Sequence, residues 1–170
     1  DSMHGWLVGQ AGFIYKSIDG RLTWTQVNNG VGVQLTDLAF LNDNFGLAVG
    51  ENGYLFRTTN GGNWWEVQKV EVTGQIFGRT ESLHGVSIVD ATFAVAAGPG
   101  GTVFKTTDGG VTWQSIGYPN LPDPFWIEDV EFVDHNTGWV VGLDQDLGHT
   151  KTVYKTTDGG ATWILAMNQG

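Results

Sequence analysis

Two aspartates, Asp37 and Asp129, occupy the same place in two seven-residue phrases, LTDLAFL (35–41) and IEDVEFV (127–133). Carboxylates paired across a cleft can divide the work of general acid and general base, the chemistry that cleaves a glycosidic bond. Glu128 and Glu131 lie close by in the second phrase. In a chain with 18 acidic residues such pairs also arise by chance, and acidic side chains serve equally to line a wet channel. The stretch DQDLGH (144–149) opens like a calcium loop, with Asp144 and Asp146, but lacks the third oxygen ligand and the distal glutamate. The histidines, His4, His84, His135 and His149, show no ligand spacing, so no metal and no cofactor is expected. Recognition chemistry is better represented. Phe77, Arg79, His84, Tyr118, Phe125, Trp126, Asp144, Asp146 and His149 fall in three segments, 69–85, 117–129 and 143–151. Aromatic side chains beside polar groups suit contact with a protein or a glycan. Phe125 and Trp126 would serve equally as a plug at a channel mouth or as packing between repeats.

Composition narrows the classes. The chain has 170 residues, 8 basic and 18 acidic, for a net charge of −10. Nucleic acid and anionic membrane both demand a basic surface, so neither is an expected partner. No apolar run approaches membrane-spanning length. Without cysteine there is no disulfide framework, thiolate metal site or cysteine nucleophile. The first residues, Asp1-Ser2-Met3, show neither an initiator Met nor a signal peptide, as expected of a processed or truncated product.

The elements that must position these residues are written in a repeat. Four stretches align without a gap: KSIDGRLTW (16–24), RTTNGGNWW (57–65), KTTDGGVTW (105–113) and KTTDGGATW (155–163). Ahead of each stands a second phrase: GWLVG (5–9), GLAVG (46–50), AVAAG (94–98) and GWVVG (138–142). A third phrase, LTDLAFL, LHGVSIV or IEDVEFV, precedes the last three copies only. Each phrase is short, rich in β-branched and aromatic residues and bounded by Gly, Asn or Asp, which is the grammar of strands and tight turns. One unit therefore reads as four strands, a to d, and units of 41, 48 and 50 residues match propeller blades. The KTTDGG phrase is the turn between strands c and d. Its Asp or Asn (Asp19, Asn60, Asp108, Asp158) pins the turn through backbone N–H groups, and its Trp (Trp24, Trp65, Trp113, Trp163) buries a large ring.

The pattern S/T-x-D-G-G-x-T-W resembles the Asp-box, or BNR, repeat of sialidases, some glucanases and sortilin-type receptors. The combination of GWxVG with KTxDGGxTW is most similar to the photosystem II assembly-factor family of propellers and its bacterial relatives. The resemblance implies a propeller. It also implies a chaperone that binds assembling membrane subunits, and export to the periplasm, cell surface or exterior. A sialidase would need an arginine cluster. The chain has Arg21, Arg57 and Arg79, and two of these belong to the repeat itself.

The expected fold is an all-β propeller segment of four-stranded antiparallel blades. The expected boundaries are 1–27, 28–68, 69–116 and 117–170, and the first blade lacks its innermost strand. The chain would then be a piece of a larger ring, an array completed by another copy or a partner, or a tight four-blade ring. Irregular length falls in the d–a and b–c connections, which share one face, so function is expected there. The sequence favours a non-catalytic scaffold for a protein or glycan. A hydrolase using Asp37 and Asp129, or a purely structural module, are the alternatives. Lys16, Arg57, Lys105 and Lys155 recur on strand c, where each head is expected to meet an acidic neighbour.

Overall fold

The computed structural model describes residues 3–27, 30–70, 82–117, 120–121, 125–144 and 150–169. Those residues form four antiparallel sheets, each a meander in chain order. The first holds β1 (Gly5–Val8), β2 (Ile14–Ser17) and β3 (Thr25–Val27). The second holds β4 (Leu35–Phe40), β5 (Gly46–Gly50), β6 (Tyr54–Thr58) and β7 (Glu66–Lys69). The third holds β8 (Gly85–Ile88), β9 (Ala94–Gly98), β10 (Thr102–Thr106) and β11 (Gln114–Ser115). The fourth holds β12 (Phe125–Phe132), β13 (Gly138–Asp144), β14 (Thr150–Thr156) and β15 (Ile164–Gln169). The strand phrases thus fold as expected, and among the described residues the first blade has three strands, without an innermost one. Its edge is β1.

Successive side chains of a strand point to opposite faces, and neighbouring sheets bury the apolar faces they turn towards each other. Three apolar clusters result. Ile14 packs with Leu35, Ala48 and Phe56 between the first two sheets. Leu47 and Val49 meet Val86, Ala96 and Phe104 between the next two. Val95, Ala97 and Val103 meet Ile127, Val130 and Tyr154 in the last interface. Sheets therefore pack β1 on β4, β4 and β5 on β8, and β8 and β9 on β12. No comparable packing joins the fourth sheet to the first among the described residues.

The repeated turn is a small hydrogen-bond machine. In the third copy Thr106 Oγ1 donates to Asp108 Oδ1 (2.8 Å) and accepts the Gly110 N–H (2.8 Å). Asp108 Oδ1 accepts the Thr112 N–H (2.8 Å), and Oδ2 accepts the Thr112 hydroxyl (2.6 Å). The first and fourth copies repeat this around Asp19 and Asp158. Asn60 does the same work in the second copy with one oxygen, towards Thr58 Oγ1 and the Trp64 N–H. These bonds, the threonine hydroxyl first, hold the Asp19, Asp108 and Asp158 carboxyls at about 2, against 3.8 for a free side chain. A depressed carboxyl contributes stability that is present above the unfolded value and is lost as pH falls through the folded one. The melting temperature is therefore expected to fall between pH about 4 and about 2. Replacing Asp19, Asp108 and Asp158 together by Asn should flatten that decline in a melting series from pH 5 to pH 2. An unchanged slope would remove the boxes from the acid response.

The recurring basic residues do not, as a set, meet acidic neighbours. Arg57 does, on Glu66 (2.9 Å), yet its Nε donates to the Gly109 carbonyl of the next blade (2.7 Å). Lys105 Nζ likewise donates to the Gly159 carbonyl (3.0 Å), and Lys16 Nζ to Asn63 Oδ1 (3.1 Å). Each reaches forward to the following blade's turn. The reason is geometric, because strand c ends beside the next blade's c–d hairpin.

Candidate functional site

Connectivity puts the d–a and b–c connections on one face. At the junction of the third and fourth blades that face carries His84, just ahead of β8, and Trp126 in β12. The two rings lie 5.7 Å apart at 53°. The backbone of Trp126 forms a bridge to Pro99, in the b–c turn of the third blade, so the indole is held where two blades meet. His84 Nδ1 lies 3.1 Å from the Ile127 carbonyl. A carbonyl only accepts, so Nδ1 carries the proton, and in the neutral ring Nε2 is an acceptor. Trp126 is 37% exposed, a large aromatic surface anchored by its own backbone.

Gly142 makes that anchoring possible. A Cβ there would lie under 3.0 Å from the Trp126 carbonyl, so only glycine lets β13 pass so close beneath the start of β12. The spacing of the repeat does not announce the contribution of Pro99. The signal was the phrase GPGG (98–101), where the first two repeats have GQAG and GENG.

Asp144 ends β13 but is 4% exposed, and its Oδ2 accepts the Tyr154 hydroxyl at 3.3 Å. Burial first, and then the Asp144 charge, push the Tyr154 phenol up. Asp144 is thus part of the blade interior and does not join His84 and Trp126. Part of the extra length in this connection is strand, since β13 and β14 stay paired out to Asp144 and Thr150. Phe125 lies in β12 opposite Asp144. Phe77, Arg79, Tyr118, Asp146 and His149 lie outside the described residues.

Asp37 and Asp129 each sit at a register shift in an innermost strand, β4 and β12. A bulge turns the carboxyl back on the ladder. Asp37 Oδ1 accepts the Leu38 N–H (2.8 Å), and Oδ2 accepts the Val86 N–H of the next blade (2.9 Å). Burial raises its pKa, two backbone donors oppose that, and the Asp129 charge adds to the rise. Asp129 Oδ1 accepts the Val130 N–H (2.8 Å) and hangs over Gly85, which stands where the other two phrases have Asp. Both oxygens of Asp37 are committed to backbone, which makes it a strap between blades. Asp37→Ala is expected to leave the Val86 N–H unsatisfied and cost about 1–3 kcal/mol, read by urea unfolding.

With this geometry in view, residues 22–124, more than half of the chain, match the family described as Photosynthesis system II assembly factor YCF48. The chain belongs to that family. A solved structure of YCF48 bound to D1 peptide is similar over 98% of this chain and 80% of that one, at 17% identity and TM-score 0.58. YCF48 from Cyanidioschyzon merolae is similar over 97% of this chain and 69% of its own, at 16% identity and TM-score 0.52. An ancestral GH74 enzyme matches 96% of this chain at 20% identity and TM-score 0.68, but the chain spans only 22% of that enzyme. At these identities the likeness shows a shared propeller fold. No curated protein matches the sequence. Membership of the YCF48 family agrees with the Asp-box reading, with the boxes serving as scaffold.

Proposed function

We propose that this chain is a non-catalytic propeller scaffold that binds a protein segment through the face on which its d–a and b–c connections open. The observation that carries the reading is Trp126, more than a third exposed and fixed between two blades beside His84 and Pro99. A rigid, half-exposed indole flanked by an imidazole acceptor is the kind of anchor on which binding energy concentrates. A family relative was solved with a D1 peptide, which supports a peptide as the class of ligand. Residues 69–85, 117–129 and 143–151 supply the rest of the proposed face, including Phe77, Arg79, Tyr118, Phe125, Asp146 and His149. Export from the cytoplasm is part of the proposal and rests on the resemblance.

The test is a titration of the whole chain with synthetic D1 peptide, followed by fluorescence anisotropy. Saturable binding is expected, weakened about 30-fold or more by Trp126→Ala, the loss of a hot-spot aromatic. Absence of binding, or binding indifferent to Trp126, would overturn the reading. A hydrolase reading draws on the raised Asp37 carboxyl beside Asp129. It requires reducing ends released from xyloglucan or β-glucan and abolished by Asp129→Asn, and none are expected.

A further inference from the structure

The first two blades meet along a groove of about 230 Å³, lined by Lys16, Ile18, Thr23, Thr25, Val27 and Asn63. The next interface explains why the space is there. Arg57 and Glu66 face each other across β6 and β7 as Lys16 and Thr25 do across β2 and β3, and Gln68 stands where the first blade has Val27. In the second blade all three side chains are tied. Arg57 Nη1 donates to Glu66 Oε2 (2.9 Å) and its Nε to the Gly109 carbonyl (2.7 Å), while Gln68 Nε2 donates to the Gly110 carbonyl (3.0 Å). The first blade has a shorter residue at each of the three positions, so the place of the Glu66 carboxylate is open beside a lysine.

Lys16 Nζ donates to Asn63 Oδ1 (3.1 Å), and Asn63 Nδ2 donates in turn to the Asn60 carbonyl (2.9 Å), so the second blade's turn holds the ammonium at the groove. An ammonium has three donors, and among the described residues Lys16 meets no carboxylate. Thr25 pairs with it across the two strands, and Ile18 and Val27 supply apolar wall. The Asp19 carboxylate of the adjoining turn has its oxygens taken by the Ser17 and Thr23 hydroxyls and the Leu22 and Thr23 N–H groups. We propose that this groove binds the carboxylate of an acidic side chain from a protein partner, on Lys16 Nζ and Thr25 Oγ1, in the place that Glu66 fills one blade further on.

The second blade also defines the ligand. Glu66 brings a carboxylate to its basic partner on a short aliphatic arm, and a groove with one cation between apolar walls suits the same group. A phosphate or sulfate would call for more donors than one ammonium and one hydroxyl. The chain's net charge of −10 opposes a run of acidic residues. The segment that fits therefore carries one acid among apolar neighbours, which Ile18, 64% exposed, is placed to cover. The groove lies on the rim beside the box turns and not on the face that carries His84 and Trp126, so the inference is independent of the peptide-binding reading.

The test is a titration of the whole chain with the peptide acetyl-Ala-Leu-Glu-Leu-Ala-amide, followed by NMR at the lysine Nζ and the isoleucine and valine methyl groups. Saturable shifts at Lys16, Ile18 and Val27 are expected. The same peptide with Gln in place of Glu should bind at least about tenfold more weakly, as should the Glu peptide to Lys16→Gln. Thr25→Glu supplies the carboxylate from within, as Glu66 does in the second blade, and should abolish the shifts in a chain that keeps its fold. No saturable shift, equal binding of the two peptides, or full binding by Thr25→Glu would overturn the inference. Sodium succinate bound as tightly as the peptide would make the occupant a small carboxylate and overturn the assignment to a protein. Shifts at the Trp126 indole in place of Lys16 would put the peptide on the loop face and overturn the groove.

Discussion

Gly98→Ala is expected to destabilise this chain by about 1–3 kcal/mol, while Gly9→Ala changes its stability by less than about 0.5 kcal/mol. Both residues close the recurring five-residue phrase of strand b, Gly98 as the last residue of β9 and Gly9 just after β1. They differ in what crosses above them. A Cβ on Gly98 would lie under 3.0 Å from the Ser82 carbonyl, as one on Gly50 would from Gln34 and one on Gly142 from Trp126. At each place the backbone entering the innermost strand runs directly over the glycine, and backbone cannot rotate away as a side chain can. Gly9 has nothing within 4 Å of its Cβ position, and its φ of −175° is ordinary extended backbone. The two variants therefore separate close approach from backbone freedom, and urea unfolding curves measure both. Equal losses would mean that crowding is not why glycine stands there. Gly142→Ala carries a second consequence, because it displaces the Trp126 carbonyl. It should weaken D1-peptide binding without altering any side chain of the proposed face.

The repeat made the fold legible. Strand phrases and box turns are local, and each is fixed by residue types that suit one backbone conformation, so β4 to β6 or β13 to β14 can be read in isolation. Relations between blades are not local. The forward reach of Lys16, Arg57 and Lys105 depends on the neighbour's turn lying beside strand c, and no spacing along the chain encodes that. Asp144 reads as a loop carboxylate until β13 and β14 are seen to stay paired and bury it against Tyr154. Asp37 and Asp129 do share a position, as their phrases imply, but the bulge that turns Asp37 onto the Val86 N–H cannot be read from the phrase. His84 and Trp126 lie 42 positions apart, and only the meeting of two blades makes them neighbours.

Phe132→Ala is expected to cost about 3–5 kcal/mol, the range for removing a buried ring. At this chain length the melting temperature should drop by about 6–20 °C. Phe132 is 2% exposed and closes the last interface. Its ring fills the space over Gly138, meets Trp163 edge-on at 6.1 Å and lies 5.8 Å from Phe93 of the preceding blade. Its N–H is bonded to Ser87 Oγ, also across the interface (3.0 Å). Truncation opens a cavity bounded by two sheets and a box tryptophan, none free to collapse without breaking a strand ladder. Val133→Ala is the control one residue along, at a side chain 61% exposed, with an expected change of less than about 0.5 kcal/mol. Among the described residues, the first blade shows the matching glycine without such a ring over it. Gly5 is covered instead by Trp24 and the stem of Arg21, so a long polar side chain does part of the work of an aromatic. A Phe132→Ala chain that melts with the Val133→Ala chain would mean that the box tryptophan alone, as at Gly5, suffices to close a blade.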